Sequence, residues 1–193
     1  SLDIYLPGHY IYNGLLYSAG YAGIVYAYNL TTGKTAWTYA ANDVYHEILW
    51  SNNWPEDLYI ASDGKLYFFH QEHSPNMPLP RNAPAFCLNA TTGAVIWRVD
   101  GLFRTTAWGG TPIMGDSVIA MYNFYDQQVY AIGKGPSATT VQAPMTAITV
   151  GDSVVIRGTV TDQSPGAKKI AQQRGMAVPA IADADQEGYM EFL

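Results

Sequence analysis

The chain is 193 residues long, 48% hydrophobic and 13% charged, with ten Lys and Arg against sixteen Asp and Glu for a net charge of −6. That balance argues against a surface built to neutralise nucleic-acid phosphates, and the single cysteine excludes an internal disulfide or a multi-cysteine metal site. No apolar run approaches the ~20 residues of a membrane-spanning helix.

Fifteen Tyr and five Trp weight the chain toward strands, because broad flat rings pack well on a pleated surface. The first strands are expected over residues 9–12 and 15–19, joined by Asn13-Gly14. Asn-Gly between apolar runs marks a tight hairpin, since a type I′ turn needs positive φ at both central positions. Residues 20–23 turn the chain, 24–30 form a third strand, and 31–33 turn again into a fourth over 35–39.

The same punctuation then returns. Residues 58–61 and 65–70 flank Asp63-Gly64, an insertion follows over 71–84, and strands are expected over 85–88 and 95–99. The insertion carries Pro75, Pro78, Pro80 and Pro84, and proline cannot serve a central strand. A third round is expected over 111–114, 117–123 and 127–132, with turns at Gly115-Asp116 and Tyr125-Asp126 and a last strand around 139–141. From residue 144 the pattern changes. Strands are expected over 145–150 and 153–160 around Gly151-Asp152, then a turn at 163–166, a polar loop over 167–176 and a short apolar stretch over 177–181. Asp183 and Asp185 are placed to cap a helix starting at Gln186. The chain begins at Ser1 and stops within an apolar element at Leu193, so it reads as a piece of a longer protein.

Two segments are near copies. Val25 to Trp37 reads VYAYNLTTGKTAW, and Ala85 to Trp97 reads AFCLNATTGAVIW, with Asn29 and Asn89 separated by 60 positions. A worn third copy begins at Val129 and keeps the strand without the tryptophan; its Gly133 lies 44 positions after Asn89. Repetition at this scale signals stacked supersecondary units, and a four-stranded propeller blade takes about 40–50 residues.

The motif resembles the tryptophan-docking repeat of the pyrroloquinoline-quinone (PQQ) type β-propellers, Ala-x-Asp-x-x-Thr-Gly-x-x-x-Trp, with Asn in place of Asp. The resemblance implies an all-β chain of three consecutive four-stranded antiparallel blades, about 9–39, 55–99 and 109–141. These make a partial propeller over 1–143, followed over 144–193 by the start of an immunoglobulin-like β-sandwich. It implies that Gly33, Trp37, Gly93 and Trp97 dock blade on blade, the glycine taking a left-handed turn and the indole covering the neighbouring blade.

Enzymes of that family hold PQQ and Ca²⁺ on the propeller axis beside an adjacent cysteine pair. Cys87 stands alone, so no such pair exists in this chain. The expected reading is a non-catalytic scaffold, extracellular or at the cell surface, without a cofactor, whose partners are other protein chains or further blades. The alternative is part of a PQQ- and calcium-dependent dehydrogenase or electron-transfer protein with its cofactor residues elsewhere. Outside the resemblance, His70, Glu72 and His73 form the densest group of potential metal ligands, weighed against a loop bonding its own backbone. Asn29-Leu-Thr31 and Asn89-Ala-Thr91 both match the N-glycosylation acceptor pattern; the same asparagines also suit turns, where their side chains bond local backbone.

Overall fold

Three two-residue hairpin turns set the register of the sheets. The computed structural model describes residues 9–48, 51–70, 80–102 and 111–180. Both central residues have positive φ at Asn13-Gly14 (50° and 75°), Asp63-Gly64 (51° and 69°) and Asp116-Ser117 (49° and 62°). That is the type I′ requirement, whose backbone twist matches that of the strands it joins. The third turn therefore sits one residue later than the expected Gly115-Asp116.

Around the first turn, β1 (His9–Tyr12), β2 (Leu15–Ser18), β3 (Ile24–Asn29) and β4 (Thr35–Ala40) pair in that order, all antiparallel. Around the second, β5 (Glu56–Ser62), β6 (Lys65–His70), β7 (Pro84–Asn89) and β8 (Val95–Asp100) form the same four-stranded meander. A register shift falls at the same place in both, between Ala27 and Tyr28 and between Cys87 and Leu88. The chain is all-β in its sheets, with consecutive four-stranded antiparallel units of the kind that make propeller blades.

The third sheet has three strands among the described residues: β9 (Ile113–Gly115), β10 (Val118–Asn123) and β11 (Gln128–Gly133), in the order β11-β10-β9. The expected fourth strand forms as β12 (Ser137–Gln142) but pairs with β13 (Arg157–Asp162) instead. The third copy of the turn explains the difference. Gly133 occupies the asparagine position and offers no side-chain oxygen to fold the chain back, and Pro136 follows without a backbone N–H.

Chain contacts separate two compact units, one built on the residues up to Gly133 and the other on Lys134–Ala182. The second unit holds the β12–β13 ribbon and a helix, α1 (Pro165–Arg174), where a loop was expected over 167–176. The helix follows from its ends. Ser164 Oγ accepts the Ala167 N–H (3.3 Å), proline opens the first turn, and Gly175 ends it in the left-handed region. Residues 145–150, expected as a strand, form none. The helix expected from Gln186 lies outside the described residues.

The first three sheets stack face to face. Tyr17, Val25 and Ala27 of the first sheet share a core with Leu66, Phe68, Phe86 and Leu88 of the second. Phe69, Ala85, Cys87 and Trp97, on the reverse of the second sheet, share another with Ile119 and Met121 of the third. The middle sheet is thus apolar on both faces. Each large side chain buried there is worth about 1.5–3 kcal/mol. No helix among the described residues is long and apolar enough to cross a membrane.

Candidate functional site

The two Thr-Thr-Gly turns are built bond for bond alike. Asn29 Oδ1 accepts from the backbone N–H of Thr31 (3.0 Å) and Thr32 (2.9 Å), and Asn89 Oδ1 from Thr91 (2.9 Å) and Thr92 (3.1 Å). Thr32 Oγ1 takes the Lys34 N–H and Thr92 Oγ1 the Ala94 N–H, both at 3.3 Å. Gly33 and Gly93 then donate to the Asn29 and Asn89 carbonyls at 2.8 Å, at φ of 66° and 73°. The side-chain oxygens of both possible glycan acceptors are thus committed to their own turns.

The surroundings of the two turns differ. Trp37 of β4 lies against Gly93: a Cβ added there would meet the indole ring at 2.6 Å. Its Nε1 donates to the Ala90 carbonyl (3.1 Å), which also accepts from the Tyr17 hydroxyl (3.0 Å). At Gly33 an added Cβ would meet none of the described residues within 4 Å. Leu30 is 49% exposed, whereas Ala90 at the matching position is fully buried. Trp97 is buried with Tyr67 at its side (ring centroids 6.2 Å) and with Ile119 and Met121 of the third sheet in the same core. The structure therefore brings Trp37 to Gly93, sets no described residue over Gly33, and places Trp97 beneath the third sheet.

Of the three metal candidates, Glu72 and His73 lie outside the described residues. His70 is in the core: its Nδ1 donates to the Pro55 carbonyl (2.6 Å) and its ring meets Trp54 edge-on at 5.1 Å. Burial lowers its pKa to about 4, so it is neutral at pH 7. Among the described residues no group of three or more His, Cys, Asp or Glu could hold a metal ion.

Opposite His70 in the register stands Glu56, a fully buried residue that the repeat pattern did not single out. Burial pushes its carboxyl pKa well up, against the pull of the nearby Arg98, with Asp57 and Asp100 adding to the rise. Neither carboxyl oxygen of Glu56 has a hydrogen-bond partner among the described residues. Arg98 is engaged with Asp100 (3.0 Å) and the Asn42 carbonyl (2.8 Å). The sequence signal was available: an arginine on an otherwise apolar strand needs a buried counter-charge. The Cys87 thiol is pushed up to about 12 by burial and stays protonated, which makes it a core side chain rather than a nucleophile.

No protein-family description matches the chain, and no curated protein matches it. Among solved structures it is similar to a europium-containing methanol dehydrogenase (14% identity, 67% of this chain and 24% of that one, TM-score 0.34). It is also similar to BamB from Moraxella catarrhalis (14% identity, 64% and 38%, TM-score 0.36). A third is the quinohemoprotein alcohol dehydrogenase ADHIIG from Pseudomonas putida HK5 (14% identity, 80% and 18%, TM-score 0.35). The chain spans well under half the length of each.

Proposed function

We propose that this chain is a non-catalytic β-propeller scaffold, extracellular or at the cell surface, that engages other protein chains through its sheet faces. The observation that carries this reading is the use made of the repeat: Trp37, Tyr17 and the Ala90–Gly93 turn join one sheet to the next. On this reading Gly33, Trp37, Gly93 and Trp97 are docking residues rather than ligand-stacking ones. The described ionisable groups support it. His70, Glu56 and Arg98 are buried in the stack, and Asp43, Asp126 and Asp162 bond the backbone of nearby loops. A quinone bearing several carboxylates would need grouped cations or a metal. The test is equilibrium binding of PQQ with Ca²⁺, together with alcohol-dependent dye reduction. We expect neither tight binding nor turnover. Either one would move the chain to the quinoprotein dehydrogenase reading.

A further inference from the structure

Two polar side chains buried where the first and second sheets join flank one histidine ring. Trp54 and Glu56 are both 0% exposed and His70 is 1% exposed. Among the described residues the Trp54 indole N–H and both Glu56 carboxyl oxygens have no hydrogen-bond partner. Glu56 stands opposite His70 in the β5–β6 register, which puts the two side chains on one face of the sheet. Trp54 meets the same imidazole edge-on, with ring centroids 5.1 Å apart. The backbone that carries them is fixed on every side. The Trp54 N–H donates to the Ala41 carbonyl (2.8 Å) and the Glu56 N–H to that of Gly20 (3.3 Å), while the Pro55 carbonyl takes His70 Nδ1 (2.6 Å). Gly23 of the first sheet packs so closely that a Cβ there would meet the Trp54 carbonyl oxygen at 2.4 Å. Neither side chain can swing out to find water without breaking this joint.

We propose that the Trp54 indole N–H and the Glu56 carboxyl form a closed binding site for one internal water, which pins the entry to β5 against the first sheet. The site goes beyond the scaffold reading and does not depend on it. Buried polar groups are bonded to protein or to ordered water in the great majority of structures. A water accepts from the indole N–H and bonds both carboxyl oxygens at once, and about three bonds is what an internal water makes. It fits either state of the carboxyl, because a protonated oxygen can donate to it and an ionised one can accept from it. A metal ion fits less well. Among the described residues no group of three or more His, Cys, Asp or Glu could hold one, and a cation at Glu56 would face the field of Arg98, which already reaches that carboxyl. A larger ligand has no way in past side chains so completely buried.

The test is water-selective cross-relaxation at the Trp54 indole proton of the full chain, the resonance being identified by its loss in Trp54→Phe. We expect a cross-peak to water with the sign of a molecule that tumbles with the protein. It should persist in Glu56→Gln, which keeps two hydrogen-bonding atoms, and vanish in Glu56→Leu, which has none. The amide spectrum of β6 and β7 shows whether each variant is folded. Absence of the cross-peak in the wild-type chain overturns the proposal, as does an undiminished cross-peak in folded Glu56→Leu. Should the leucine variant not fold, Glu56→Gln decides. A cross-peak lost in folded Glu56→Gln came from an exchanging carboxyl proton rather than from water, and that overturns the proposal too. The last arm compares urea midpoints in potassium or ammonium chloride with those in choline chloride at equal concentration. We expect no difference; a rise that Glu56→Gln abolishes would assign the site to a cation instead.

Discussion

One glycine in each repeat does two different jobs, and the difference is measurable. Gly33 and Gly93 both need the left-handed backbone, so alanine at either costs about 1–2 kcal/mol for φ alone. Gly93→Ala also drives a methyl into the Trp37 ring at 2.6 Å, which adds about 1–3 kcal/mol of overpacking. Urea denaturation should show that excess for Gly93→Ala over Gly33→Ala and should show it vanish when both are placed on a Trp37→Ala background. Equal costs on the wild-type background would mean that the indole contact carries no energy. The buried pair His70 and Glu56 makes stability depend on pH with opposite signs. The folded pKa of His70, about 4, lies below its ordinary 6.5, so the unfolded chain binds the extra proton. That stability is present above pH 6.5 and is lost, up to about 3 kcal/mol, as pH falls toward 4. The carboxyl of Glu56 is raised above its ordinary 4.5, so its contribution is full below that pH and is lost as pH rises through the folded value. Urea midpoints measured across pH should therefore lose their fall toward acid in His70→Gln and their fall with rising pH above 4.5 in Glu56→Gln. Unchanged slopes would place both side chains in water.

At the scale of strands and turns, the sequence announces what is local. Asn13-Gly14 and Asp63-Gly64 declare hairpins because almost nothing else tolerates positive φ twice in succession, and the two Thr-Thr-Gly turns declare themselves by repetition. Asp116-Ser117 was hidden beside Gly115, whose freedom made it look like the turn residue. The fate of β12 was hidden for another reason: strand propensity says that residues 137–142 extend, and only the missing turn chemistry at Gly133 says against what. Helix α1 lacked an apolar stripe to betray it and is defined by its caps. Of the candidate site, the tryptophan and glycine were legible, while Glu56 and Arg98 needed the register that puts Glu56 opposite His70. Strand environment also orders the amides. β6 and β7 have strands on both edges and sheets on both faces, whereas every residue of β12 is exposed. Native-state hydrogen exchange should be slowest in β6 and β7 and fastest in β12–β13; protection in the ribbon equal to that in the middle sheet would contradict this order of packing.

Across the three sheets, every described strand pairs with its neighbour in sequence, β1 through β4, β5 through β8 and β9 through β11, and among the described residues no strand is inserted from afar. Apart from the insertion between β6 and β7, a meander of that kind closes short loops, and short loops are entropically cheap to close early. Joining one sheet to the next then adds a single face of contact at a time, so the ensemble behaves as a row of units coupled to nearest neighbours. The practical consequence concerns synthesis on the ribosome. The first sheet is finished once Ala40 has emerged, yet the Ala90 carbonyl that Trp37 bonds lies 53 positions after that tryptophan, with Gly93 beyond. During that interval, at roughly 5–20 residues per second, the indole is held by its own strand alone. A nascent chain paused between Ala40 and Gly93 would carry that tryptophan without its seat, and this is the window in which a chaperone would have something to recognise.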